Sequence, residues 1–531
     1  MIRRAAMSDA AKRLLTDSTF ASAPASRDNA QAKVATSHAP LDMMLASGGD
    51  ERIWPDPVTR RNRYGAPAAP APQEIWFSSS TASAITERGY AAARDAFDAL
   101  SQDGADLTRW FDDIRARIAA QFGVPGVKVV LTASGAEAEF AALAVAKALF
   151  DRPIANIVVA PDEIGGGVAL AATGAHFAAA AAFEPNVEKG APIAGWEKGD
   201  AVMRRVEIRD ANGRLRPAAE IDRAAGVAVA DALRTGRAAL LHLLDASRTG
   251  RGGPSRAIAR EISRTAGGRA LVLVDACQLR CAADQIRADL ADGFLVMVTG
   301  SKFAGGPPFC GALLIPPDKA KKLRGLSLPA GLAAYAARRD WPQSFEGAFE
   351  AASFAPANLG MGLRWTAALA EIEAYAQIPA PLREEIAMRF AESARRCVAG
   401  NADLDFLDAE SWRLGGKPAT IFPILTHQGD PAQARLIYES LRASTGVFDS
   451  AELARICHVG QPVTVAGRAA LQLCFSMPQA NFVAERVATG LDIDAAFLPL
   501  RWNMELLFRK WGALAKRIGV NGGLSLAASK N

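Results

Sequence analysis

Seven short apolar runs, separated by stretches of helical spacing, constrain this chain more than any other feature. They are VKVVLTAS (127–134), NIVVAP (156–161), AVMRRVEIRD (201–210), AALLHLLDAS (238–247), RALVLVDAC (269–277), GFLVMVTGS (293–301) and FCGALLIP (309–316). Several are continuously apolar instead of alternating, the signature of strands covered on both faces. Strand runs that alternate with helices predict an α/β fold: a mainly parallel, seven-stranded sheet with helices on both faces. The first run leads into a predicted helix at 135–150. Upstream, Glu87 to Phe122 reads as two helices broken near Asp103-Gly104.

After about residue 345 the pattern changes. A long helix at 358–377 precedes further helices and short strands such as TIFPIL (420–425) and ALQLCFSM (470–477), a smaller α+β domain. The expected organisation is a disordered tail (1–38), an extended arm (39–86), a large domain (87–345), a small α+β domain (346–495) and a C-terminal docking helix and tail (496–531), with the helix at 496–517. Prolines forbid a long helix in the arm, and Trp54, Tyr64, Trp76 and Phe77 require it to pack on something.

Composition narrows the classes of partner. Lys plus Arg number 61 and Asp plus Glu 56, a net charge of +5. Spread over 531 residues, this gives no basic surface for nucleic acid or anionic membrane. The uncharged stretch Ile164 to Phe183 has the length of a membrane span, but it is mostly Ala and Gly with Thr173 and His176 inside. It reads as a packed helix. The six cysteines form no CxxC pair, so neither a zinc site nor a disulfide framework is expected, and scattered thiols suit a reducing cytoplasm. No HxxxH pattern or carboxylate cluster suggests a metal.

Three features fall at the carboxyl ends of predicted strands, where open α/β sheets place their ligands. Ser134-Gly135-Ala136-Glu137 joins a strand to a helix, and small residues there let backbone N–H groups cradle a phosphate. Asp275 follows four apolar strand residues in LVLVDACQ. Lys302 stands in VTGSKFAGGPPF, just past the next strand. Pyridoxal phosphate accounts for all three. It needs a lysine for its Schiff base, an acid to keep its pyridine nitrogen protonated, and an anion site.

These residues also carry a resemblance. SGAEAE (134–139), DASRTG (245–250), VDACQ (274–278), TGSKFAGGPPFCGALL (299–314) and PANLG (356–360) resemble fold-type I pyridoxal-phosphate enzymes of the class V aminotransferase group, which includes cysteine desulfurases and kynureninase. The likeness spans about residues 75–480. It implies Lys302 and Asp275 as catalytic residues. It also puts Gln278 near the ring hydroxyl, Thr299 and Ser301 on the phosphate beside Gly135 and Ala136, and Ser247 beside the ring. It further implies a homodimer whose N-terminal residues close over the substrate.

The chain departs from that pattern in three places. Where many relatives stack a His on the ring, Glu163 stands in APDEIGGG, a candidate proton shuttle. Where a substrate-carboxylate Arg is usual, LQLCFSM has Gln472, so Arg364, Arg468 or an arm residue such as Arg63 is the candidate clamp. The Thr that relatives supply near PN is missing from SFAPAN (353–358). The reading is an enzyme acting on an amino acid or amine, first an aminotransferase. The alternative is a C–S or C–C lyase, for which Cys457 in RICHVGQPV is the candidate thiol; a non-catalytic cofactor-binding relative comes third.

Overall fold

The computed structural model describes residues 40–348, 354–408, 413–414, 417–443, 450 and 452–521, so the tail expected at 1–38 lies outside them. All seven predicted runs form strands of one sheet: β2 (Lys128–Thr132), β3 (Ile154–Val159), β4 (Ala201–Val206), β5 (Ala238–Leu244), β6 (Ala270–Ala276), β7 (Leu295–Thr299) and β8 (Gly311–Ile315). Their order is β2-β8-β7-β6-β5-β3-β4. β3 through β7 pair in parallel, and β8 runs antiparallel to both β2 and β7. Every residue of β3, β5, β7 and β8 is buried, as continuous apolar runs covered on both faces require. The edge strand β4 is the least buried, with Arg204 and Arg205 exposed, and it ends at Val206 instead of running to 210.

A second sheet has the order β1-β13-β14-β12-β9: β1 (Ile75–Phe77), β9 (Leu404–Phe406), β12 (Ile421–Thr426), β13 (Cys457–Val465) and β14 (Arg468–Cys474). A two-stranded ribbon, β10 (Arg413–Leu414) and β11 (Lys417–Pro418), stands beside it. β1 comes from the arm and pairs in parallel with β13, Ile75 opposite Cys457. The arm is therefore more than an extended strap. It opens with the helix Pro40–Leu45 and supplies the edge of the second sheet.

The predicted helices at 135–150 and 358–377 are found at Gly135–Phe150 and Leu359–Gln377, and the two upstream helices at Glu87–Leu100 and Leu107–Ala120. The docking helix runs over Ile493–Asn521, with Met504, Leu507 and Trp511 fully buried. Trp511 Nε1 donates to Thr426 Oγ1 at 2.9 Å, which fixes that helix on β12.

One helix prediction fails. Within Ile164–Phe183 only Val168–Ala171 is helical. Three consecutive glycines, 165–167, weaken helix formation at its start. Gly174 takes φ +72° with its α-carbon against Trp196, where a Cβ would lie 2.9 Å from the ring. Small residues here let the backbone turn tightly under the sheet. Among the described residues, no helix is long and apolar enough to cross a membrane, and no group of His, Cys, Asp and Glu could hold a metal.

Candidate active site at the carboxyl edge of the large sheet

Asp275 is the penultimate residue of β6 and is buried; its Oδ1 accepts the N–H of Cys277 at 3.0 Å. β7 lies next to β6, and Lys302 follows three residues after its last residue, Thr299. The loop after β7 folds back on itself. Gly306 N–H donates to Gly300 C=O at 2.8 Å and Gly305 N–H to Lys302 C=O at 2.9 Å. Gly305 is obligatory: its φ is +78°, and a Cβ would lie 2.1 Å from Pro478. Ser83 Oγ holds the loop from the other side by donating to Lys302 C=O at 2.8 Å.

The Cys277 thiol joins the two key residues. Burial first, and then Asp275, pushes its pKa well up, while the Lys302 ammonium pulls the other way. The Cys277 thiol therefore lies within electrostatic reach of both Asp275 and Lys302. Helix Gly135–Phe150 points its N-terminus at the same place, because a Cβ on Gly135 would lie 3.0 Å from Cys277 Sγ. Thr299 Oγ1 donates to Cys277 C=O at 2.6 Å. A carboxylate, a lysine and a helix N-terminus thus stand at the same edge of the sheet. Ser301 is half-buried beside Lys302, and its C=O accepts the N–H of Ser83 at 3.0 Å.

Buried polar atoms without partners cluster here. Ser134 Oγ, both carboxyl oxygens of Glu137 and Gln278 Oε1 have none. Such atoms are costly unless something else binds them. Gln278 Nε2 donates to Ser80 C=O at 2.9 Å, and Ser80 Oγ donates to Gln472 Oε1 at 3.4 Å. Gln472, fully buried, also donates to Ala470 C=O, so it closes a link from β14 to the site.

Three sequence candidates are placed differently from expectation. Glu163 is buried and bound on every side. It accepts from Arg209 Nε at 2.6 Å, from Ser247 Oγ at 3.2 Å and from Thr249 Oγ1. Arg209 continues to Asp408 at 2.8 Å, where Arg251 also binds at 3.2 Å. The Glu163 carboxylate is held in an ion-pair network that joins the two sheets, as is Ser247, and a carboxylate so anchored is poorly suited to shuttle protons. Arg364 is fully buried. It donates to the carbonyls of Phe309 (2.8 Å), Leu45 (2.9 Å), Ser47 (2.6 Å) and Gly48 (3.2 Å). A guanidinium so spent staples the arm to the core and cannot clamp a substrate. Arg468 opens β14 opposite Val465. It lies four residues from Gln472, roughly 13 Å further along the strand at about 3.3 Å per residue.

Arg364→Leu is expected to lose about 3 kcal/mol or more, because it strands buried carbonyls. Denaturant unfolding measures this. Unchanged stability with a raised KM would return Arg364 to substrate binding.

Glu137, Arg52 and Arg209 stand outside the candidates drawn from the sequence. Arg52 comes from the arm, is paired with Asp50 at 2.6 Å and lies over the rings of Phe177 (5.4 Å) and Phe309 (5.1 Å). Two cavities lie apart from Asp275 and Lys302. One of about 480 Å³ is lined by Arg280, Phe303 and Tyr375. Another of about 580 Å³ lies between arm and second sheet, at Arg63, Arg442 and His458.

No family model matches the chain, and no curated protein matches it. Among solved structures, the fold is similar to a complex of the cystine C–S lyase C-DES with its product cysteine persulfide, at 16% identity and TM-score 0.49, over 78% of this chain and 97% of that one. It is also similar to a Sphingomonas wittichii serine palmitoyltransferase, at 13% identity and TM-score 0.48, over 84% of this chain and 88% of that one. A third is the glutamate decarboxylase domain of a diaminobutyrate-pyruvate transaminase and L-2,4-diaminobutyrate decarboxylase from Vibrio parahaemolyticus, at 13% identity and TM-score 0.48, over 84% and 81%.

Proposed function

We propose that the chain is a pyridoxal-phosphate enzyme acting on an amino acid or amine, with transamination as its reaction. The observation that carries this reading is the placement of Asp275 and Lys302 at the carboxyl ends of the adjacent strands β6 and β7, with the start of helix Gly135–Phe150 against Cys277. The residues present fit the cofactor. Ser134 Oγ and Gln278 Oε1 are buried atoms in want of partners. Gly135 packs without a side chain against the Cys277 thiol, where a Cβ would lie 3.0 Å from Sγ, so its backbone faces the site directly. Bound there, the cofactor supplies an electron sink for the substrate.

The chain's own groups do the rest. Asp275 offers a buried negative charge that holds a proton on the ring nitrogen. Lys302 Nζ would hold the cofactor and would also serve as the base that takes the proton from the substrate α-carbon. Thr299, Ser301, Gly135 and Ala136 line the phosphate end, and Gln278 the ring hydroxyl. A homodimer belongs to the same proposal.

The rival thiol-dependent lyase needs Cys457 as a thiolate. Cys457 is buried and donates to Arg455 C=O at 3.5 Å. Burial pushes its pKa up to about 11, with Lys510 and Arg455 opposing. A thiol in that state is a poor nucleophile at neutral pH. Cys457→Ala is therefore expected to change turnover by no more than a few-fold. Half-reactions of both proteins with L-cysteine and with L-glutamate or L-alanine test the choice. Pyridoxamine phosphate formation supports transamination; stoichiometric persulfide on wild-type Cys457 replaces it with the lyase.

A further inference from the structure

We propose that Glu137 is a cofactor-phosphate ligand that works in its neutral form. Its carboxyl O–H donates to a phosphate oxygen beside the backbone N–H groups opening helix Gly135–Phe150. This rests on the cofactor reading above and deepens it.

Ser134-Gly135-Ala136-Glu137 has the S-x-x-E pattern of a capping box. A closed box would satisfy the first-turn donors from within. This one stands open: the Ser134 side chain caps nothing, and neither Ser134 Oγ nor either Glu137 carboxyl oxygen has a partner. The helix is 16 residues long, and Glu137 is only 3% exposed. Its first N–H groups have no acceptor inside the helix, and positive potential gathers there. An ionised carboxylate at this point would repel a phosphate dianion. A neutral carboxyl supplies one more donor.

The surroundings favour the neutral form. Asp50 faces Glu137 from the arm and opposes its ionisation. Arg52 faces it too and favours ionisation, but is paired with Asp50 at 2.6 Å. Ser134 faces it from its own turn, and both its hydroxyl and its N–H favour ionisation, though less than burial and Asp50 oppose it; the other groups are Tyr335, whose phenol senses Glu137, and Arg364, spent on carbonyls. Burial first, then Asp50, pushes the Glu137 pKa up to about 8. An arriving phosphate raises it further. Above that pH the site must take up one proton from solvent for each phosphate bound.

The test compares pyridoxal phosphate with pyridoxal, which lacks the phosphate, bound to the full chain between pH 7 and pH 9.5 and followed by absorbance. Ionisations of Lys302 and the ring are common to both ligands and cancel in the ratio of dissociation constants. The phosphate's second ionisation, near 6, is complete throughout. In wild type, the preference for pyridoxal phosphate is expected to fall about tenfold or more across this range. In Glu137→Gln, whose amide donates at every pH, the preference should persist to pH 9.5. A flat wild-type ratio overturns the inference without any variant, and so does a Glu137→Gln protein that shows the same fall. Wild type that binds pyridoxal phosphate at Lys302 with a flat ratio leaves the cofactor reading standing. Wild type that binds neither ligand removes both.

Discussion

Asp275→Asn is expected to keep the fold and lower turnover by about a hundredfold or more. Asparagine has the same shape, and its side-chain oxygen can still accept the N–H of Cys277, now held at 3.0 Å by Asp275 Oδ1. The charge is what is lost. Asp275 is 6% exposed, and in so dry a site a carboxylate stabilises a facing cation far more than it does in water. Without it, nothing at the end of β6 holds a proton on the ring nitrogen. Steady-state turnover, read beside thermal unfolding, separates the loss of charge from misfolding. Unchanged turnover with an unchanged unfolding midpoint would assign the role to another residue.

Lys302→Ala should have a still larger effect, lowering turnover by about a thousandfold or more, since one side chain serves as both anchor and base. The loop should survive. Its hydrogen bonds to Ser83 and Gly305 run through the Lys302 carbonyl, which alanine keeps. Among the described residues, no hydrogen bond or ion pair runs through the Lys302 side chain. Borohydride should then fix no cofactor to the chain. A variant that turns over at the wild-type rate would remove Lys302 from the chemistry.

The large sheet was legible because its strands are buried on both faces and read as unbroken apolar runs, such as the LVLV that leads into Asp275. Asp275 and Lys302 could be placed because each follows such a run at its carboxyl end. The failures have physical causes. Ile164 to Phe183 is uncharged and small, and composition alone cannot tell a packed helix from a backbone that turns on Gly165–Gly167 and Gly174. β1 is three residues long, too short for a pattern, and takes its structure from β13. Arg364 looked available because nothing near it in sequence is acidic. Its partners are carbonyls of Leu45, Ser47 and Gly48, brought to it only by the folded arm. Glu163, just past β3, finds its partner Arg209 just past the neighbouring strand β4. Glu137 was readable, since it is a charged residue in the first turn of a largely apolar helix, but small residues at the turn drew attention to the backbone instead.

Borohydride reduction of the purified chain loaded with pyridoxal phosphate, followed by peptide mapping, tests the central claim most directly. The expected result is one cofactor per chain, fixed on the peptide that contains Lys302. A label on any other lysine, or none at all, would contradict it.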